Sequence, residues 1–184
     1  MEAGSLSARA FVTLQYLLPQ HLLSRGVRMA TRWRWRPFKD ALIGAFLRGF
    51  RPELGDALEP DAHRYASFND FFVRALRPDA RPQPDDPRLI ASPVDGTLSA
   101  LGDCHEGRLY QAKGRHYTLA ALLAGRAGWA SRFSGGRFMT IYLAPYNYHR
   151  IHMPLRGRLV DAWYVPGKLF SVNAATAAHV PDLF

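Results

Sequence analysis

Leu89-Ile90-Ala91-Ser92-Pro93-Val94-Asp95-Gly96-Thr97-Leu98-Ser99-Ala100-Leu101 is the stretch on which the fold turns. Two short apolar runs are separated by Pro93 and by Asp95-Gly96, and runs of this length with turn residues between them read as strands. The same grammar continues downstream. It predicts strands over residues 89–94, 97–101, 108–112, 138–143 and 158–165, with a short helix over 118–124 that Thr118 caps and Gly125 stops. Short strands with glycine punctuation predict a β sandwich or barrel-like domain.

Upstream the period changes from strand to helix. Leu6, Ala10, Phe11, Leu14, Leu17 and Leu18 recur at helical spacing and run into Pro19, an amphipathic helix. Pro37 opens another, in which Phe38, Leu42, Phe46 and Phe50 fall at i, i+4 intervals. Ser67-Phe68-Asn69-Asp70 has the form of a capping box opening a short helix through Phe71, Phe72 and Leu76. Between Arg77 and Arg88, Pro78, Pro82, Pro84 and Pro87 forbid regular helix and central strand alike, leaving a tether. The fold class is therefore α+β, helices first. It divides into a membrane-associating helical region over 1–51, a linker with a short helix over 52–88, and a β-rich domain over 89–184.

A chain of 184 residues with 48% hydrophobic and 21% charged residues is globular in composition. Cys104 is its only cysteine, so no intrachain disulfide forms, and a buried inert thiol is the plain reading. The net charge of +9 is concentrated at one end: residues 1–51 carry 9 Lys+Arg against 2 acids. Arg32, Trp33, Arg34, Trp35 and Arg36 alternate cations with flat amphipathic rings, a chemistry suited to the headgroup layer of an anionic bilayer. No apolar run reaches 18 residues, so no helical span is expected, and the cytoplasmic face of a membrane is the expected location. Apart from charge, nothing supports a nucleic-acid partner.

Asp95-Gly96 presents an acid at a strand edge, or serves as a turn whose aspartate bonds its own backbone. His149 and His152 lie three apart between Pro145 and Pro154, which disfavour a helix, so the two rings point in different directions or only one faces a site. A metal site would need a third ligand that this spacing does not supply, and none is expected. Val165-Pro166-Gly167-Lys168 fits a type II turn, with glycine accepting positive φ.

In order along the chain, these stretches resemble the phosphatidylserine decarboxylases of the bacterial membrane-associated type, which are self-processing pyruvoyl enzymes. The resemblance is carried by Leu14-Gln15-Tyr16-Leu17-Leu18-Pro19, Phe68-Asn69-Asp70-Phe71-Phe72-Val73-Arg74 with Arg81-Pro82, and Ser92-Pro93-Val94-Asp95-Gly96. It continues through Gln111-Ala112-Lys113-Gly114, Leu122-Leu123-Ala124-Gly125, Tyr148-His149-Arg150-Ile151-His152-Met153-Pro154, residues 164–173 and Val180-Pro181-Asp182-Leu183-Phe184. One departure stands out: where the family usually has Ser-Pro-Arg-Asp-Tyr, this chain reads Ala144-Pro145-Tyr146-Asn147-Tyr148.

The resemblance implies that Asp95 and His152 activate a serine for self-cleavage, and that His149 serves the decarboxylation step. It implies a pyruvoyl cofactor made from that serine, which lies beyond Phe184, and conversion of phosphatidylserine to phosphatidylethanolamine. The 184 residues contain no Leu-Gly-Ser-Thr processing motif. The expected partners are therefore phosphatidylserine, an anionic membrane surface and the C-terminal pyruvoyl subunit, with a homodimer admitted. The chain alone is expected to be inactive. The rival from another class is a non-catalytic membrane-surface protein that binds lipid.

Overall fold

A computed structural model describes residues 3–86, 88–104, 108–112, 115–181 and 183. Pro87 of the tether, Lys113-Gly114, and Asp182 and Phe184 of the last motif lie outside the described residues. The chain forms two compact units, one of Met1–Arg25, Leu98–Thr140 and Trp163–Phe184, the other of Gly26–Thr97 and Ile141–Ala162.

The helices come first. α1 (Ala3–Leu17) ends ahead of Pro19, and α2 (Gln20–Arg32) starts directly after it. Pro19 has no N–H to leave unpaired there, and its carbonyl accepts from Leu23 N at 3.0 Å. α3 (Arg36–Phe50) carries Pro37 in its first turn as the sequence predicts, and ends at Arg51, whose φ of 49° is left-handed. α4 (Phe68–Phe72) is capped by Ser67, whose hydroxyl accepts from Asp70 N at 3.2 Å and donates to the Asp70 carboxylate at 2.9 Å. It stops at Phe72, one turn short of the predicted Leu76.

In the first unit, α1 and the first residue of α2 are tied to the segment ahead of α7 (Ala174–His179). Gln15 Oε1 accepts from the Ser171 amide at 2.9 Å, Gln20 Oε1 accepts from the Leu169 amide at 2.6 Å, and the Tyr16 and Phe170 rings meet edge-on at 4.7 Å. The sequence reading predicts no helix at α7, although Asn173 and Thr176 cap each other reciprocally at its start. β1 (Thr97–Asp103) pairs with β4 (Arg137–Tyr142), while β2 (Arg108–Ala112) and β3 (Arg115–Thr118) form an antiparallel hairpin. β3 runs into α5 (Leu119–Leu122), capped by Thr118 as expected, with Gly125 at φ +75° beyond its end; α6 (Ala127–Ala130) follows. Cys104, Tyr117 and Leu119 form the small core here, against Ala130 and Phe138, and burial pushes the Tyr117 hydroxyl up in pKa. Cys104 is buried and free, as its bland reading expects.

The second unit is built on aromatics. Ile43 and Phe71, both 0% exposed, pack with Ala62 at its centre, and Phe46 meets the rings of Phe68, Phe71 and Phe72 edge-on at 5.3, 5.8 and 5.8 Å. Such contacts add to area burial. Lys39 is buried beside this cluster and donates to the Asp40 carboxylate and to His63 O at 2.8 Å. That ammonium, ahead of the His63 ring, holds the Asp40 carboxyl below its usual range.

The described residues form no sandwich or barrel. The described strands make two separate two-stranded sheets, and two of the predicted strands are absent. Residues 89–94 contribute two ladder-like bonds, Ala91 N to Pro154 O at 3.2 Å and His152 N to Pro93 O at 2.8 Å, and Pro93 has no N–H with which to extend the pairing. Residues 158–165 are irregular, with Leu159, Val160 and Tyr164 at 82%, 76% and 87% exposure, so no second layer covers them among the described residues. The type II turn at Pro166-Gly167 is also absent, because Gly167 does not take positive φ. No described helix is long and apolar enough to cross a membrane.

Replacing Phe71 with Ala removes the fully buried centre of the aromatic cluster. The expected cost is about 3–5 kcal/mol, read as a lower denaturation midpoint with little change in slope. A loss below about 1 kcal/mol would show that Phe71 is not the keystone of this core.

Candidate functional site

Two irregular segments of the second unit are drawn together by backbone bonds. His152 N donates to Pro93 O at 2.8 Å, beside the Ala91–Pro154 bond. The residues flanking this tie therefore share one place: Asp95 two positions after Pro93, and His152 itself. Gly96 is required by space. A Cβ there would sit 2.6 Å from Tyr142 O and 2.8 Å from Ile141 Cγ2, far inside contact distance. Its φ is not in the left-handed region, so close approach explains this glycine and turn geometry does not.

Asp95 does not act as a turn aspartate bonded to its own backbone. Its Oδ1 accepts from Arg81 Nε at 3.0 Å, and its Oδ2 accepts from Arg81 Nε and Nη2 at 3.1 and 2.6 Å. The far side of the same guanidinium donates from Nη1 to Asp56 Oδ2 at 2.8 Å and to Ala80 O at 2.6 Å. Hydrogen bonding to Arg81 draws the Asp56 carboxyl below its usual range, and Asp95 and then Asp56 push the Arg81 guanidinium still higher.

His152 and Asp95 line one cavity of about 580 Å³, together with Arg81, Pro93, Tyr148 and Arg150. The His152 Nε2 lies 2.9 Å from the hydroxyl of Tyr148, and the two rings stack at 5.5 Å. Asp95 is thus occupied by Arg81 and His152 Nε2 by Tyr148, and no hydrogen bond joins Asp95 to His152 among the described residues. Tyr148 is 6% exposed, which fixes its hydroxyl in place. Arg150, also on the cavity wall, donates from Nε to Val73 O at 2.7 Å.

His149 stands apart from this cavity. Its Nδ1 is 3.0 Å from Asn147 O, and its ring lies 4.0 Å from the Phe72 ring at 41°. A carbonyl only accepts, so Nδ1 carries the proton of the neutral ring and Nε2 keeps the free lone pair. The two histidines lie in irregular backbone and face different surroundings, the outcome that Pro145 and Pro154 predicted.

The departure at Tyr146-Asn147 keeps a local role. Asn147 Oδ1 accepts from Ala144 N at 2.9 Å while Asn147 N donates to Ala144 O at 2.9 Å, closing the turn that presents Tyr148 and His149. An aspartate could accept the same bond, so the backbone job survives the loss of its charge.

Three residues escaped sequence reasoning as parts of the site: Tyr148, Arg81 and Arg74. Arg74 is 3% exposed and donates from Nη2 to Glu53 O at 3.3 Å, while its Nε and Nη1 have no hydrogen-bond partner among the described residues. Burial pushes this guanidinium down in pKa. It lines a second cavity of about 440 Å³ that shares Arg81, Asp95 and Tyr148 with the first. No spacing signal marks Arg81 or Arg74, because their partners Asp95, Asp56 and Glu53 lie 14, 25 and 21 residues away; Tyr148 meets His152 only four residues on, but in irregular backbone that has no period to read.

Comparison with known proteins sets this geometry in a family. Residues 68–184 match the family model described as phosphatidylserine decarboxylase, and residues 10–51 match a second model described as PSD. The chain is 49% identical over 180 residues to the phosphatidylserine decarboxylase proenzyme of Bordetella avium, covering 98% of this chain and 61% of that protein. The proenzyme of Pseudomonas paraeruginosa is likewise 49% identical over 180 residues, with 98% and 62% covered. That of Shewanella halifaxensis is 50% identical over 173 residues, with 94% and 60% covered. The chain thus spans about three fifths of the length of these relatives, and it belongs to the phosphatidylserine decarboxylase family.

Proposed function

We propose that this chain is the N-terminal part of a self-processing enzyme that decarboxylates phosphatidylserine to phosphatidylethanolamine. The observation that carries the reading is the convergence of Asp95 and His152 on one cavity while His149 faces elsewhere. Self-cleavage and decarboxylation need different proton transfers, and this arrangement supplies two separated imidazoles.

In the first reaction His152 accepts the proton of the attacking serine hydroxyl, and Asp95 orients the ring and offsets the charge it gains. Tyr148, stacked on His152, holds the ring plane. In the second, the free lone pair of His149 Nε2 takes up a proton from the substrate ammonium group and returns it to the carbon that has lost CO2, its Nδ1 being committed to the Asn147 carbonyl. The cavity suits a small carbonyl-bearing group: the Tyr148 hydroxyl on its wall is a donor, and a carbonyl oxygen needs one. A pyruvoyl group, when bound, supplies an electron sink for the C–C bond that breaks.

The basic, amphipathic α2 fits a substrate that stays in the bilayer. At about 100° per residue, Leu22, Leu23, Val27 and Met29 share one face and Arg25, Arg28 and Arg32 the other, and those four apolar side chains are all exposed. Trp33 and Trp35 follow, 55% and 57% exposed. This reading places the protein peripherally at the cytoplasmic face of a membrane.

Asp95→Asn or His152→Ala in the full-length proenzyme should slow self-cleavage at least a hundredfold on a denaturing gel, whereas His149→Ala should cleave and then fail to release CO2. Normal cleavage of either of the first two refutes their assignment. Purified 1–184 should release no CO2 from phosphatidylserine, and measurable release would overturn that expectation.

Flotation with anionic vesicles should show binding that weakens with salt. Exchanging Arg25, Arg28 and Arg32 for Ala should weaken it on the order of a hundredfold, at about 1 kcal/mol per arginine. Salt-insensitive or absent binding defeats the membrane reading. Flotation of the full-length protein without any turnover would favour the non-catalytic lipid-binding alternative.

A further inference from the structure

We infer that Arg81 is a positioning residue for self-cleavage: it fixes the plane of the Asp95 carboxylate, and Asp56 fixes Arg81. The inference rests on the Asp95–His152 assignment proposed above.

A carboxylate on a single methylene turns freely about two bonds, so an aspartate that must orient an imidazole needs something to hold it. Arg81 makes three contacts to Asp95 between 2.6 and 3.1 Å, from Nε to both oxygens and from Nη2 to Oδ2. A planar fork across one edge of the carboxylate sets both its position and its plane, which a lysine ammonium cannot do. The remaining acceptor capacity is unequal. Oδ2 takes two of these contacts and Oδ1 one, and each oxygen can accept about two, so Oδ1 keeps room for a further donor. His152 Nδ1 is the candidate donor on the same cavity, since the partner of this ring, Tyr148, lies at Nε2.

The clamp is itself held from behind. Arg81 Nη1 donates to Asp56 Oδ2 and to Ala80 O, and Asp56 Oδ1 lies 3.7 Å from Arg77 Nη2. Pro82 follows Arg81 directly and Pro84 two residues later, so the backbone that carries the arginine has little freedom.

This network contributes little to folding. The Arg81 side chain is 46% exposed, and exposed ion pairs contribute only about 0–1 kcal/mol after screening. The geometry is better than that stability gain would require. Its removal therefore falls on the orientation of Asp95 rather than on the fold.

The test uses the full-length proenzyme carrying Arg81→Gln, Arg81→Lys or Asp56→Asn, with Asp95→Asn alongside. Two quantities are read: the half-time of self-cleavage, and kcat and KM per cleaved molecule once cleavage is complete. Arg81→Gln should lengthen the half-time at least tenfold, Arg81→Lys and Asp56→Asn by smaller factors, with kcat per cleaved molecule within about twofold of wild type. A merely structural role would lower both quantities together, and that result overturns the inference. A wild-type half-time in Arg81→Gln, with Asp95→Asn blocked, overturns it and leaves the Asp95 assignment standing. Normal cleavage of Asp95→Asn removes both. Should Arg81→Gln not fold, Arg81→Lys decides, and a wild-type half-time there is fatal.

Discussion

The candidate site depends on a pair of backbone hydrogen bonds that belong to no sheet, Ala91 N to Pro154 O and His152 N to Pro93 O. Each joined segment carries a proline at the tie, and proline cannot donate, so the pairing ends where it starts. A longer ladder would have locked the side chains of 91–95 and 150–154 into strict alternation. The short tie brings Asp95 and His152 to one cavity while leaving their side chains free of a pleat. Each such bond is worth only about 1 kcal/mol net, so side-chain clamps must finish the positioning.

Those clamps are ionic on one side and aromatic on the other. Arg81 grips Asp95 and Asp56 at the surface, where charge fixes direction at little energetic consequence either way. Tyr148 meets His152 from a nearly buried position, so its hydroxyl is constrained by packing. Arg74 has the opposite character, a buried guanidinium with two nitrogens unpartnered. Burial of a cation that salt bridges do not offset is costly, and its depressed pKa is the same cost expressed as protonation.

Local chemistry explains what was legible in the sequence. Ser67 and Thr118 cap helices because a hydroxyl can reach an amide two or three residues on, and Pro37 sits where a missing N–H costs nothing. Prolines around the histidines excluded a helix for equally local reasons. The failures were nonlocal. Apolar runs at 89–94 and 158–165 have strand composition, but a strand needs a partner, and composition does not say whether one is present. Asp95 and both histidines can be named from motif order, whereas Arg81 and Arg74 gain meaning only from contacts made across the fold, and Tyr148 from a local stack that irregular backbone does not announce. Gly96 was picked out correctly for the wrong cause, since its constraint is Tyr142 O and not a turn angle.

His149 shows how directly the core reaches the chemistry. Its ring lies against Phe72, Phe72 against Phe46 and Phe68, and Phe46 against the fully buried Phe71. A single ring therefore separates the proton-carrying imidazole from the aromatic cluster that holds α3 and α4 together. Packed interiors have few voids and transmit small displacements, so a shift in α4 moves Phe72 and with it the His149 ring. His152 is held differently, by the Tyr148 hydroxyl and ring and by the backbone bond to Pro93 O, on the wall of the cavity. The same three-residue spacing thus yields one histidine set by hydrophobic packing and another set by hydrogen bonds. Changes in core volume should act on the first and changes in charge on the second.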